Sequence, residues 1–186
     1  DQPVFAERET RFKGEAVAAV VGEAAAMETL DLAAFPVTFS ELPAVLTVDA
    51  ALAATAPQLH SQRPGNLLVS GQVVRGDAVA ALAVSAVTVE ASFESGFVEH
   101  AYIEPEAGYA VRHGDRITVA ACTQSPHLDR DDTANILGIR PDQVRIIPTA
   151  VGGGFGAKLD LSVQPFLAVA AWQLGRPVRM VYSRGE

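Results

Sequence analysis

The first third of the chain alternates short apolar runs with segments of strong helix formers. The apolar run over residues 16–21, bounded by glycines on both sides, predicts a buried strand. Residues 23–34 are rich in Ala, Leu, Met and Glu and predict a helix. Residues 37–39 predict another strand, and Asp49 is the expected N-cap of a short helix over residues 50–54. Together these elements predict a small α/β unit.

The rest of the chain shows longer strand and helix signals. Apolar residues interleaved with polar ones over residues 78–93 predict a long strand with one exposed face. Residues 108–112 and 116–121 predict two more strands, and the glycine at position 114 between them favours a tight hairpin turn. The remaining predictions are a helix over 129–137 that ends at Gly138, a strand over 144–147, a helix over 162–174 with Pro165 in its first turn, and a strand over 178–182. The predicted fold class is α+β.

A break in the pattern predicts the domain organisation. The hydrophobic pattern lapses where Pro57, Pro64 and Gly65 accumulate, which indicates a linker over residues 56–69. We therefore expect one domain over residues 1–55 and a second over residues 70–186.

Composition limits the classes of function. The 186 residues are 49% hydrophobic and 19% charged, which is typical of a globular protein. The net charge of −8 argues against a nucleic-acid surface, and the single cysteine, Cys122, excludes a disulfide framework or a multi-cysteine metal site. The apolar runs are too short to span a bilayer, and no signal-peptide pattern is present, so we expect a cytoplasmic protein without a membrane partner. The chain lacks an initiator Met, and we expect it to be a fragment of a longer polypeptide.

The richest candidate site is a glycine loop, Gly152–Lys158, between a predicted strand and a predicted helix. Four of its first five residues are glycine, so a ligand could approach the backbone N–H groups directly. A P-loop would need Ser or Thr after Lys158, but Leu159 stands there. A dinucleotide fold would need an acid about 20 residues further on, and none lies between Asp160 and Glu186. Either the loop binds another ligand or it is a turn that only packs tightly.

Three further groups of polar residues are weaker candidates. Gln124, at the end of a predicted strand, could donate a hydrogen bond to an oxo or carbonyl oxygen, although a turn residue is the simpler interpretation. The acids Glu104 and Glu106 flank Pro105, and we expect them to be solvated in a loop. The acids that follow His127 (Asp129, Asp131 and Asp132) are explained by a helix N-terminus, and we predict no metal site there.

Five blocks of sequence stand out together: 12–21 (FKGEAVAAVV), 41–45 (ELPAV), 99–106 (EHAYIEPE), 123–126 (TQSP) and 152–158 (GGGFGAK). In their order and approximate spacing they resemble the molybdenum-binding subunit of the xanthine dehydrogenase/aldehyde oxidoreductase family of molybdenum hydroxylases. The resemblance implies that residues 1–55 are the latter part of an α/β-hammerhead domain. It implies that residues 70–186 are the first portion of a molybdopterin-binding domain, with a mixed sheet and packed helices.

The resemblance also implies a cofactor and a reaction. Such enzymes oxidise an aldehyde or an aromatic N-heterocycle with water-derived oxygen at molybdenum held by molybdopterin, in bacteria often as the cytosine dinucleotide. Electrons leave through [2Fe–2S] clusters to FAD on partner domains or subunits. Gln124 matches the glutamine that hydrogen-bonds an oxo ligand of molybdenum. Gly153, Gly154, Phe155 and Gly156 match the loop whose backbone approaches the metal and the pterin, and Gln124 and Phe155 are the residues expected to serve catalysis.

Two departures from the family limit these expectations. Xanthine-oxidising members place a glutamate where this chain has Leu159, which disfavours xanthine as the substrate. The family's catalytic glutamate lies beyond residue 186, so we expect the isolated chain to be inactive and to hold no cofactor without the remainder of the molybdenum subunit. The alternative function is a non-catalytic α/β module that binds a nucleotide or another anion through the glycine loop.

Overall fold

The regular elements of the chain are concentrated in its second half. In the computed structural model, which describes residues 2–186, the strands are β1 (Ala107–His113), β2 (Arg116–Ala121), β3 (Val144–Pro148) and β4 (Val178–Val181). The α-helices are α1 (Ala24–Glu28), α2 (Val48–Leu52), α3 (Ala78–Ala83), α4 (Pro126–Leu137) and α5 (Gln164–Leu174). Short 3₁₀ turns occupy Leu32–Ala34, Pro64–Asn66 and Pro141–Gln143.

The four strands form one mixed sheet in the order β3-β2-β1-β4. β1 pairs antiparallel with both β2 and β4, and β2 pairs parallel with β3. Gly114 turns the β1–β2 hairpin with a φ of +64°, a conformation that glycine adopts at little cost. Because β2 and β3 are parallel, the segments that follow them leave the sheet at the same edge.

The core lies between this sheet and the two long helices. α5 packs against β1, α4 packs against β3, and the two helices contact each other. Alternate residues of β2 point into this core, as the period of two predicts for a sheet with one covered face. The buried core residues are Ala110, Ile117, Val119, Ala121, Ala134, Val144, Val163, Leu167, Ala168 and Ala171. The α+β class predicted from the sequence is confirmed.

Local sequence signals set the ends of both long helices. Pro126 opens α4, where its missing N–H costs no hydrogen bond, and Gly138 ends the helix with a φ of +65°. Pro165 lies in the first turn of α5, and Gly175 ends it with a φ of +63°. The helices and strands predicted between residue 108 and residue 182 are therefore confirmed, although α4 begins earlier than the predicted residue 129.

The prediction of a strand over residues 16–21 is wrong, and the predicted helix over 23–34 is broken into α1 and a 3₁₀ turn. A strand requires a neighbour that satisfies its backbone groups. Among the described residues, the backbone of this run forms one hydrogen bond to another backbone group, from Ala6 N to Ala16 O at 2.8 Å. The apolar run forms no helix and is not part of a sheet.

The predictions of strands over residues 37–39 and 78–93 are also wrong. The alanine-rich start of the second segment forms α3, because Asp77 Oδ1 accepts a hydrogen bond from Ala80 N at 2.9 Å and caps the helix. The alternating residues that follow have no strand to pair with in the described chain, and Val89 and Phe93 are 88% and 93% exposed. The predicted short helix over 50–54 exists as α2, with Thr47 rather than Asp49 as its cap.

The chain divides into two compact units. One comprises the residues up to Leu30 together with Phe97–Glu186, and the other is Asp31–Gly96. The domain limits predicted from the sequence stay a prediction. None of the helices found in residues 2–186 has the length and apolar character that a membrane crossing requires.

Candidate cofactor-binding site

The glycine loop follows β3 and leads toward α5. Three of its residues have left-handed backbone conformations, with φ of +102° at Gly153, +53° at Phe155 and +100° at Gly156. Such a conformation is easy for glycine but costs a residue with a Cβ about 1 kcal/mol or more. Phe155 is also 74% exposed. The loop therefore presents a strained aromatic residue, flanked by glycines, to solvent.

Gln124 meets this loop because of the strand order. It lies just after β2, the loop lies just after β3, and these parallel strands end at the same edge of the sheet. Gln124 Oε1 accepts hydrogen bonds from Gly156 N at 3.1 Å and Lys158 N at 3.3 Å. Gln124 N in turn donates to Lys158 O at 2.8 Å. The structure thus brings together the two candidates that the sequence placed 28 or more residues apart.

These contacts fix the orientation of the Gln124 amide. A backbone N–H can only donate, so the amide oxygen must face the loop and the NH₂ group must face away. Within residues 2–186, Gln124 Nε2 has no hydrogen-bond partner, and the side chain is exposed. Gly154 allows this fit, because a Cβ at that position would lie 2.5 Å from Gln124 Oε1. The loop needs glycine there for space, not for its φ.

Three consecutive N–H groups at the centre of the loop are also without a partner. In the described chain, the N–H groups of Gly153, Gly154 and Phe155 donate no hydrogen bond. Successive N–H groups in such a turn form a concave binding place for an anion or a polar oxygen. The amide of Gln124 and these loop N–H groups form a set of donors, which we call the donor edge.

Lys158 and Glu104 fasten the loop to the segment before β1. Lys158 is 1% exposed, and its Nζ lies 2.9 Å from Glu104 Oε2 and 3.1 Å from Glu104 O. The same carboxylate oxygen accepts a hydrogen bond from Gly152 N at 2.8 Å. Lys158 Nζ also lies 4.5 Å from the centre of the Tyr102 ring. The expectation that Glu104 is merely solvated is therefore wrong.

The charges of this pair stabilise each other. The hydrogen bond donated by Gly152 N lowers the pKa of Glu104, and the Lys158 ammonium lowers it further. Burial opposes the charged form of Lys158, but its hydrogen bonds, the one to Glu104 foremost, outweigh burial and raise its pKa. Both groups are thus ionised at neutral pH, and the pair has no net charge.

Glu106 is buried, which corrects the second expectation about this segment. Its Oε2 accepts hydrogen bonds from Cys122 Sγ at 3.2 Å and from Ser162 Oγ at 3.0 Å, and its carbonyl accepts one from Tyr182 N at 2.8 Å. Burial raises the pKa of the Cys122 thiol, with the Glu106 carboxylate as a further cause. A thiol held protonated in this way is a packing residue and a hydrogen-bond donor.

Two acids of α4 bond to neighbouring side chains of the protein. Asp129 is fully buried and accepts a hydrogen bond from Gln164 Nε2 at 3.1 Å, while its Oδ1 has no partner in the described chain. Asp131 pairs with Arg130 at 2.7 Å. Residues 2–186 contain no cluster of three or more His, Cys, Asp and Glu that could hold a metal ion.

Lys158 and Glu104 both lie in candidate segments of the sequence, but their pairing was not predicted. Lys158 and Glu104 are 54 residues apart, and no local period relates them. The available signal was the position of Lys158, a lysine between alanine and leucine at the end of a glycine loop. A long cation in so apolar a setting needs a partner when it is buried.

Residues 59–186 match the model of one protein family, the molybdopterin cofactor-binding domain. The chain belongs to this family. The resemblance to the molybdenum-binding subunits of the xanthine dehydrogenase and aldehyde oxidoreductase family is thereby confirmed.

Relatives of this chain align along nearly all of its length. It is 34% identical to the nicotinate dehydrogenase large molybdopterin subunit of Eubacterium barkeri over all of this chain and 44% of the relative. It is 34% identical to the xanthine dehydrogenase molybdenum-binding subunit of Escherichia coli O157:H7 over 96% of this chain and 24% of the relative. The chain therefore spans less than half the length of these relatives.

A solved structure agrees with the fold. The aldehyde oxidoreductase from Desulfovibrio gigas superposes with a TM-score of 0.70 and 32% sequence identity over 77% of this chain and 16% of that one. The donor edge fits a molybdopterin cofactor chemically, because oxo ligands and pterin heteroatoms are hydrogen-bond acceptors and the edge offers donors.

Proposed function

We propose that this chain supplies one side of the cofactor site of a molybdenum hydroxylase. The observation that carries the proposal is the donor edge, in which the NH₂ group of the fixed Gln124 amide and three loop N–H groups have no hydrogen-bond partner within residues 2–186. When bound, the molybdenum cofactor supplies the oxidation of a substrate carbon with water-derived oxygen. Gln124 Nε2 donates a hydrogen bond to an oxo ligand, and the loop from Gly153 to Gly156 approaches the metal and pterin with its backbone.

Phe155 has two roles in this proposal. Its N–H is one of the loop donors, and its exposed ring forms an apolar wall beside the place where the substrate reacts. Phe155 has a left-handed backbone with a φ of +53°, and its ring lies against Gly153, where an added Cβ would be 3.3 Å from Phe155 Cε2. A rigid donor set of this kind acts without reorganisation during the reaction, which is the condition for strong electrostatic stabilisation.

We propose an aldehyde or an aromatic N-heterocycle as the substrate. Leu159 directly follows the loop and is half-exposed, so an apolar side chain stands where a hydrogen-bonding carboxylate would favour xanthine. Similarity to proteins named for nicotinate and aldehyde oxidation supports this choice. One relative is named as a xanthine dehydrogenase subunit. Xanthine is therefore the competing substrate to test.

The wider assembly is also part of the proposal. Residues 1–55 belong to a hammerhead domain, and residues 70–186 are the first portion of a molybdopterin-binding domain. The catalytic glutamate comes from the remainder of the subunit, the cofactor is the cytosine dinucleotide form, and electrons pass to [2Fe–2S] and FAD partners in the cytoplasm. The isolated 186-residue chain is expected to hold no molybdenum, and stoichiometric metal on it would contradict that expectation.

Replacing Gln124 tests the proposed oxo contact. In the complete protein, Gln124→Ala is expected to lower kcat about 100-fold, the typical cost of removing one preorganised donor. The matched control is Gln143→Ala, since Gln143 precedes β3, at the opposite end of that strand from the loop, and its Nε2 donates to Asp115 O at 2.7 Å. Turnover on a panel of aldehydes, N-heterocycles and xanthine is measured together with Tm. Unchanged turnover in Gln124→Ala would show that the assigned contact is wrong.

A non-catalytic module that binds a nucleotide or another anion is the second candidate. The three loop N–H groups favour it, because backbone donors in a turn bind anions without any metal. Calorimetric titration of the complete protein with ATP, NAD and inorganic phosphate distinguishes the two. Tight binding of one of these ligands, together with no turnover on the substrate panel, would select this candidate.

A further inference from the structure

The buried lysine at the end of the glycine loop is not explained by stability alone. Lys158 is 1% exposed, and its ammonium is paired with Glu104. Such a pair contributes little net stability, because the cost of removing the Lys158 ammonium from water cancels much of its attraction to Glu104, whose side chain is 34% exposed. An apolar residue of similar length would pack there at no such cost. The position of the pair relative to the loop suggests what the charges do.

Lys158 connects both sides of the donor edge. Its backbone N–H and C=O bond to Gln124, at 3.3 Å and 2.8 Å. Its side chain bonds to Glu104, whose Oε2 also accepts from Gly152 N at 2.8 Å, and Glu104 N donates to Gly152 O at 3.3 Å. The chain of contacts Gln124–Lys158–Glu104–Gly152 therefore closes around the three loop N–H groups that have no partner.

Close contacts leave this arrangement little freedom. A Cβ on Gly152 would lie 2.6 Å from Glu104 Cβ, and a Cβ on Gly153 would lie 3.0 Å from Tyr102 Cβ. The loop thus lies directly on the segment that carries Glu104, with Tyr102 beneath the Lys158 ammonium at 4.5 Å. A shift of the Lys158–Glu104 bridge would move Gly152 at one end of the loop and Gln124 at the other.

We propose that Lys158 and Glu104 are positioning residues, which set the direction of the loop N–H groups and of the Gln124 amide toward the cofactor. This inference rests on the proposed function for the identity of the bound group. The geometry of the loop is independent of the proposed function. Neither side chain contacts the cofactor in this proposal, because both bond to the protein itself.

The test uses three variants of the complete protein: Lys158→Met, Glu104→Gln and the two combined. The matched control is Arg140→Met, which removes an exposed ion pair, since Arg140 Nε lies 2.9 Å from Asp142 Oδ1. The measurements are Tm, kcat and KM, the electron paramagnetic resonance spectrum of Mo(V), and amide hydrogen exchange of the loop and of β2.

Lys158→Met is expected to lower kcat about 10- to 100-fold, as for other residues that orient a metal's contacts, while KM changes much less. The Gly152, Gly156 and Lys158 amides should exchange at least about tenfold faster, whereas the Val119 amide in β2 should be unchanged. The Mo(V) spectrum should shift, because the donors to its ligands have moved. Arg140→Met should change none of these.

The double variant separates positioning from simple charge burial. Glu104→Gln strands a buried ammonium, so it should have the lowest Tm, and removing both charges should restore much of that Tm. Positioning predicts that kcat, the Mo(V) spectrum and loop exchange stay altered, because the bridge is still missing. If kcat and loop exchange return together with Tm, the pair only stabilises the fold and the proposal is wrong.

Failure of this inference is distinguishable from failure of the proposed function. If the wild-type protein contains no molybdopterin, the proposed function fails, and loop exchange in Lys158→Met still decides whether the bridge positions the loop. If Glu104→Gln does not fold, Lys158→Met and the double variant provide the same comparison. Unchanged loop exchange in a folded Lys158→Met protein would overturn the inference in every case.

Discussion

The sheet region (residues 97–186) and the 31–96 region contain similar apolar residues, but these residues build a buried core only in the sheet region. In the sheet region Ile117, Val119 and Ala121, at alternate positions of β2, are buried in one core with residues of α4 and α5. In the 31–96 region no described residue is buried, and residues 84–93, which show the same alternation, form no helix or strand and are exposed. The pattern is the same, but only one region supplies strands to pair with. Alternation indicates which face a strand would bury, and a neighbouring strand decides whether it forms.

The largest expected difference between the regions is in the cost of removing one leucine side chain. Leu167→Ala should lower the free energy of unfolding of the chain by about 2–5 kcal/mol, because Leu167 is 1% exposed and its loss leaves a cavity. The matched change Leu68→Ala, at a side chain that is 70% exposed, should cost under about 0.5 kcal/mol. Urea unfolding measures both. Equal costs would show that the two regions are packed alike.

A second comparison adds one methyl group to a glycine in each region. Gly154→Ala should destabilise the chain by about 1–3 kcal/mol and displace Gln124, because its Cβ would lie 2.5 Å from Gln124 Oε1. Gly71→Ala meets no atom within 4 Å and should have no measurable effect on folding. Unfolding experiments give the stabilities, and turnover of the complete protein reports on Gln124. A neutral Gly154→Ala would contradict the close fit of the loop.

The smallest expected effect concerns pH. Burial raises the pKa of Asp129, although the hydrogen bond from Gln164 opposes the rise. Its folded form therefore holds the proton more tightly than the unfolded form, and stability falls as pH rises between the unfolded and folded pKa values. Asp129→Asn should stabilise the chain by about 1 kcal/mol above that interval. It should have no such effect below the ordinary aspartate pKa.

The control for this pH effect has the opposite sign. The hydrogen bond from Arg140 lowers the pKa of Asp142, so its contribution is present above the ordinary aspartate pKa and is lost as pH falls through the folded value. Thermal unfolding of Asp129→Asn and of the control Asp142→Asn, measured from acid to neutral pH, provides the comparison. Parallel profiles for Asp129→Asn and wild type would contradict the buried charge.

The fold of the sheet region was predictable because its signals are local. Gly138 and Gly175 end helices by their left-handed conformations, and Gly114 turns a hairpin, whatever the rest of the chain does. The strands over 16–21 and 78–93 were not predictable in the same way. Whether an apolar run becomes a strand depends on distant partners, and the Asp77 cap directed part of the second run into a helix.

The candidate site also has one part that was predictable from the sequence and one part that was not. Gln124 and the glycine loop were identified from their residue types and from the resemblance to a family, and the parallel pairing of β2 with β3 explains why they meet. The bridge from Lys158 to Glu104 could not be predicted, because it joins residues 54 positions apart through a charge buried in the folded chain. From the sequence alone, a glutamate that is solvated in a loop cannot be told from one that pairs with a buried lysine.

The central claim is that the donor edge holds a molybdopterin cofactor. Its most direct test is the molybdenum and pterin content of the complete protein, measured by plasma mass spectrometry and by fluorescence of the oxidised pterin after release. The account predicts about one molybdenum and one pterin per chain, as expected for a single cofactor site. A correctly folded complete protein, produced in cells that make the cofactor but containing neither molybdenum nor pterin, would contradict it.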